Sequence, residues 1–235
     1  SSAASDVYKR QDITVRAASP LTINSPVVNN AGGDIVLTAA EDGGSDDDLT
    51  ITAAVTALGG NGVIDLNAGT DLIINNDVTV STVGNGAITG DAVREIAISS
   101  NTGTTTIQAT GGNISLTANR GLAAVTGDFD GIHIDDALVT ATTGNLVLDG
   151  SSGDAGTSNE GIVLSNGSII STTGVGSGTI TLDGDAVSGA GDGILIENAG
   201  TLVTSVDGAI QLTADSGGDN GISIMSDADV TSTGL

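Results

Sequence analysis

Cysteine and tryptophan are absent from this 235-residue chain, and Tyr8, Lys9, Phe129, His133 and Met225 are each the single residue of their type. Without cysteine there is no disulfide framework, no thiol nucleophile and no thiolate metal centre. A single histidine cannot build a His-rich metal site. With aromatics this rare, the chain lacks the large side chains on which a compact core of this length normally draws. Lys and Arg total 5 against 29 Asp and Glu, a formal charge of −24. That balance is wrong for nucleic acid, whose phosphates need clustered cations. No apolar run approaches the ~18 residues of a membrane-crossing helix, so no membrane insertion is expected from this segment.

What is present is Ile, Val, Leu, Ala and Thr, with 36 Gly. Only Glu41, Glu95, Glu160 and Glu197 are glutamates, so nearly all the acid is Asp. Asp favours turns, where its short carboxylate meets nearby backbone N–H groups. Branched residues with Thr suit strands, and Gly with Asp and Asn suits the tight turns between them. Regular patterning of the apolar residues argues against disorder.

Self-similarity is the strongest signal. A Gly followed by alternating apolar residues recurs at Gly131-Ile132-His133-Ile134, Gly161-Ile162-Val163-Leu164, Gly193-Ile194-Leu195-Ile196 and Gly221-Ile222-Ser223-Ile224. A short apolar patch follows the first three copies, at Leu138-Val139, Ile169-Ile170 and Leu202-Val203. A third element opens on another turn: Gly144 to Leu148, Gly178 to Leu182 and Gly208 to Leu212. In the first half, Gly33 to Leu37, Gly62 to Leu66 and Gly112 to Leu116 match the third element. Asp48 to Ile51, Asp71 to Ile74 and Glu95 to Ile98 match the first.

Three short strands per repeat is the cadence of one coil of a parallel β-helix. One coil cannot bury its apolar face alone, whereas stacked coils bury a continuous ladder. The expected fold is an all-β, right-handed parallel β-helix of about seven coils, with Thr117 to Asp130 the least legible stretch. A large β-sandwich is the alternative; it would need longer antiparallel strands and usually more aromatics.

The recurring G-x-I-x-L and D-G-I-x-I elements resemble the repeats of filamentous-haemagglutinin-type and autotransporter-like bacterial surface proteins, over nearly all of residues 12–235. The resemblance implies a right-handed parallel β-helix displayed outside the cell, extracellular or on the bacterial surface, as an adhesin stalk or matrix component. Its partners would be a surface ligand or neighbouring domains of the same polypeptide. A different resemblance covers residues 1–11: SSAASDVYKRQ is similar to a translated transposase adapter used for sequencing libraries. Residues 1–11 are therefore expected to be a disordered artefact, residues 12–235 the solenoid repeat region, and both ends truncated.

No catalytic, cofactor-binding or metal site is assigned from the sequence, and the chain is expected not to be an enzyme. Candidate acid pairs are Asp183 with Asp185, and Asp135 with Asp136 beside His133. With no Lys outside residues 1–11, no Trp and one His, they read as turn carboxylates facing water. Alternation points His133 outward with no role. Asp-rich turns at Asp42 with Asp46, Asp47 and Asp48, and at Asp128, Asp130, Asp135 and Asp136, suit weak calcium binding. Gly59 to Asp65 comes near the calcium-binding nonapeptide, but its Asp stands one place late. Thr50, Thr52, Thr79 and Thr181 occupy different positions in the coil and form no ice-binding row. The leading expectation is a structural or display rod. A calcium-stiffened binding module and a polysaccharide-degrading β-helix are the alternatives.

Overall fold

The structure is a computed structural model that describes residues 10–40, 46–121, 125–156, 158–176, 178–187 and 189–234. Residues 1–9, most of the adapter-like segment, lie outside the described residues, as does Asp42. The described chain is built from strands and turns, with no helix.

Three parallel sheets of eight strands each run the length of the molecule. Sheet A comprises Ile13–Ala17, Ile35–Ala39, Ile64–Ala68, Ile88–Ala92, Ile114–Ala118, Leu146–Ser151, Ile180–Ala186 and Ile210–Ser216. Sheet B comprises Leu21–Ile23, Leu49–Ile51, Leu72–Ile74, Ile96–Ser99, Ile132–Asp135, Ile162–Ser165, Ile194–Ile196 and Ile222–Ile224. Sheet C comprises Val27–Asn29, Val55–Ala57, Thr79–Thr82, Thr105–Ala109, Ala137–Ala141, Ile169–Thr172, Leu202–Ser205 and Asp229–Ser232. The chain visits A, B and C in turn and then repeats, so every strand pairs with its equivalent in the next coil. This is a β-solenoid of eight three-strand rungs, with seven steps from first to last. The G-I-x-I elements are sheet B, the short patches sheet C, and the third elements sheet A.

Register explains the sequence pattern. In sheet A, Ile35, Ile64, Ile88, Ile114, Leu146 and Ile180 stack in one inward column. Sheet B stacks Leu49, Leu72, Ile96, Ile132, Ile162 and Ile194 in the same way. Sheet C contributes Val55, Val80, Ile107, Val139, Ile170 and Val203. All of these are fully buried. Each fully buried aliphatic side chain is worth about 1.5–3 kcal/mol, and repeated over many coils such side chains fill a narrow core without aromatics.

Turn residues add a second set of links between coils. Asp12 Oδ1 accepts the Asp34 N–H at 2.9 Å, and Asp34 Oδ1 accepts the Val63 N–H at 2.8 Å. Asn113 Oδ1 accepts Asn145 N–H and Asn145 Oδ1 accepts Thr179 N–H, both at 2.9 Å. The Gly-Asp or Gly-Asn before a sheet A strand is therefore a staple as well as a turn: its side chain satisfies a backbone donor one coil further on.

Candidate functional site

Departures from the regular coil gather where sheet A hands over to sheet B. The connections 40–48, 119–131 and 152–161 are the longest, and the residues just before each sheet B strand form a largely acidic column. Asp48 Oδ1 accepts the Asp71 N–H and Asp71 Oδ1 accepts the Glu95 N–H, both at 3.2 Å. Further along, Asp130 Oδ1 accepts the Glu160 N–H and Asp192 Oδ1 the Asn220 N–H, both at 3.0 Å. These carboxylates do not simply face water. They bond the next coil, because a turn stacked on an identical turn offers an N–H at a fixed place.

Asp130, His133 and Glu160 form the centre of this column. His133 does point outward from its strand, half-buried, but it has partners. Its Nδ1 lies 3.4 Å from Asp130 Oδ2, and its Nε2 lies 3.5 Å from Ser165 Oγ. The hydrogen bond to Asp130 is the main reason its imidazole is held above the ordinary value. Burial pushes Glu160 up to about 8, helped by its hydrogen bond to Asp130 and that residue's charge. Burial likewise pushes Glu95 up to about 7, with the charges of Asp71 and Asp130 adding to it. Burial also works against ionised Asp130, but the hydrogen bonds from His133 and Glu160 outweigh it and hold this carboxyl below its usual range. Arg94 bonds Asp71 through two nitrogens and stands 5.8 Å from the ring centroid of Phe129. Buried Phe129 thereby ties the 119–131 connection to the coil beneath it.

Chemically, a carboxylic acid kept protonated near neutrality beside an ionised carboxylate is an ingredient of acid catalysis. Two grooves of about 380 and 300 Å³ lie elsewhere, along sheet A, and are lined by other residues. The larger has an apolar floor of Ala68, Ala92, Val93 and Val125, with Asp91 and Arg120 at its sides.

Asp183 and Asp185 do not form an acid pair: Arg120, from the connection after sheet A's fifth strand, bonds Asp149 and Asp185 and donates Nη2 to the Asp183 carbonyl at 3.0 Å. Asp135 accepts Asn166 Nδ2 at 2.6 Å and Ser165 Oγ at 3.3 Å, while Asp136 sits in a left-handed turn with φ of 51°. Strand Ile132–Asp135 separates Asp128 and Asp130 at its start from Asp135 and Asp136 at its end. Among the described residues, no three His, Cys, Asp or Glu are disposed to hold a metal ion. Thr50, Thr79 and Thr181 lie on sheets B, C and A, and Thr52 follows a sheet B strand, so these four are indeed scattered.

A different hydroxyl row was not read from the sequence. Along the outer face of sheet C stand Thr56, Ser81, Gln108, Thr140, Ser171, Thr204 and Thr231 in register. Its signal was the Thr or Ser, Gln at position 108, directly after each inward sheet C aliphatic, too short a pattern to register alone. Compared with family models, curated proteins and solved structures, the chain matches none.

Proposed function

We propose that the chain is a structural and interaction segment of a large bacterial cell-surface or secreted, adhesin-like repeat protein: a rod that spaces or displays neighbouring parts of the same polypeptide outside the cell. The observation that carries this reading is the continuity of the stack. One aliphatic core and repeated Asp and Asn staples run from rung to rung, and the polar side chains outside are largely engaged in holding coils together. In such a rod, length is the functional quantity and coil number sets it.

The test uses the absence of native cysteine. Thr14→Cys and Gln211→Cys place spin labels at equivalent exposed positions of the first and last strands of sheet A. With ~4.8 Å per step they should lie about 34 Å apart. Deleting residues 64–87, one full coil, joins Val63 to Ile88 in the register of Ile64. The expected result is a shortening by about 4.8 Å with cooperative melting retained. An unchanged distance or loss of folding contradicts the reading, as does cleavage of uronate polymers by the intact chain.

A further inference from the structure

The charge on this rod is unevenly placed. Outward from sheet A point Asp65, Asp91, Asp149 and Asp183, and the A-to-B turns add the acidic column described above. Sheet C is different. Its hydroxyl row carries no charge, and the neighbouring outward column reads Thr79, Thr106, Leu138, Ile169, Leu202 and Asp229, with its single charge in the last rung. The residues that follow these strands, among them Leu58, Val83, Thr142 and Val206, are uncharged too. In a chain of formal charge −24, the outward columns of sheet C carry one charge, Asp229, and the nearest others, Asp77, Asp136, Asp207 and Asp227, lie in the turns that border it.

The polar atoms on that side are partly satisfied internally. Ser171 Oγ donates to Thr140 Oγ1 at 2.9 Å, and Thr231 Oγ1 to Thr204 Oγ1 at 3.2 Å. Thr140 and Ser171 are consequently almost buried, between ridges of half-exposed aliphatics such as Leu138 and Ile169. A face whose hydroxyls already bond one another, with aliphatic ridges beside them, suits apposition of another sheet better than hydrogen bonding to a polar lattice.

We propose that sheet C is a self-association face, on which a second copy of the chain packs its own sheet C. Charge selects the occupant: two copies repel through their acidic sides and approach at least cost through the sparsely charged one. Area is sufficient. Seven steps of ~4.8 Å and three columns ~6.6 Å apart give about 650 Å² per copy, or roughly 1,300 Å² in total, above the ~1,000 Å² expected of a specific interface. The face is the same on both copies, which a two-fold, isologous contact requires.

Sedimentation velocity on the 235-residue chain, from micromolar to millimolar and from low to high salt, tests this. A dimer should form and tighten as salt screens the residual repulsion. Ile169→Glu with Leu202→Glu should weaken it by about tenfold or more, since charges would be buried unpaired. Thr204→Glu is a milder second variant on the same face, and circular dichroism checks that each folds. Ile222→Glu with Ile224→Glu, at the exposed last rung, should leave the dimer intact. A monomer throughout overturns the proposal and leaves the face to another partner. Association abolished by the last-rung variant but not by the face variants overturns it in favour of end-on stacking.

Discussion

At the scale of single residues, Asp and Asn do what aromatics and disulfides do elsewhere: they tie distant parts of the chain together. Asp34 joins two coils through its side chain, as do Asp71, Asn145 and Asp192. Where such acids crowd, stability becomes a matter of pH. Glu160 and Glu95 titrate above the ordinary glutamate range in the folded chain, so the folded state holds more protons and loses stability as pH rises from about 4.5 through 7 to 8. His133, raised by Asp130, contributes stability below the ordinary imidazole range that is lost as pH rises through its folded value. Asp130 works the other way: its contribution is present above the normal carboxylate range and disappears in stronger acid. Asp71, Arg94 and Asp192 also act on this group. The melting temperature should therefore be higher near pH 5 than near pH 8.5, by an amount on the order of 1 kcal/mol in stability once solvent screening is allowed for. Glu160→Gln should narrow that gap by raising stability at pH 8.5. An identical pH slope in the variant would show that the Asp130–Glu160 contact is not its source.

At the scale of the element, the repeated Gly before sheet B strands has a definite cause. A Cβ on Gly131 would lie 2.5 Å from both the Gly161 carbonyl oxygen and the Ser151 nitrogen, because the sheet A strand Leu146–Ser151 runs one residue longer and closes over the turn. Earlier rungs, with shorter sheet A strands, carry Asp48, Asp71 and Glu95 at the equivalent position. Gly221 occupies it in the last rung, where a Cβ would meet only the Ala214 oxygen, at 3.5 Å. Gly131→Ala should cost about 1–3 kcal/mol in denaturant unfolding and Gly221→Ala close to nothing; equal effects would refute the steric account. Legibility in the sequence followed the same physics. Sheets A and B were readable wherever a turn Gly or Asp stood before alternating Ile and Leu. Strand Ile88–Ala92 was hidden because Gly90 replaces the usual Leu, its space taken by Leu72 and Leu116. Sheet C strands such as Val27–Asn29 and Val55–Ala57 offer one large inward residue each, too little to show a period. The Asp130–Glu160 link did have a signal, an acid before three of the four repeated Gly, at Asp130, Glu160 and Asp192. Its meaning depended on stacking, which residues 30 apart do not announce. Arg120 lay in the stretch where the repeat is interrupted.

At the scale of the whole molecule, the account is of a rod held by its own core and staples, acidic on most sides and sparsely charged along sheet C. Among the described residues, turn carboxylates such as Asp34, Asp71, Asp130 and Asp192 accept hydrogen bonds from backbone N–H groups, and cations such as Arg94 and Arg120 sit among the densest acids. High salt should then act through screened repulsion between coils and between copies, and not through a particular site. The most direct test is thermal melting followed by circular dichroism on the full chain at neutral pH, once with a chelator and once with millimolar calcium. The account predicts a β spectrum and the same melting temperature in both. A large rise in order or melting temperature with calcium would contradict it, and would make the Asp-rich turns ion sites on which the fold depends.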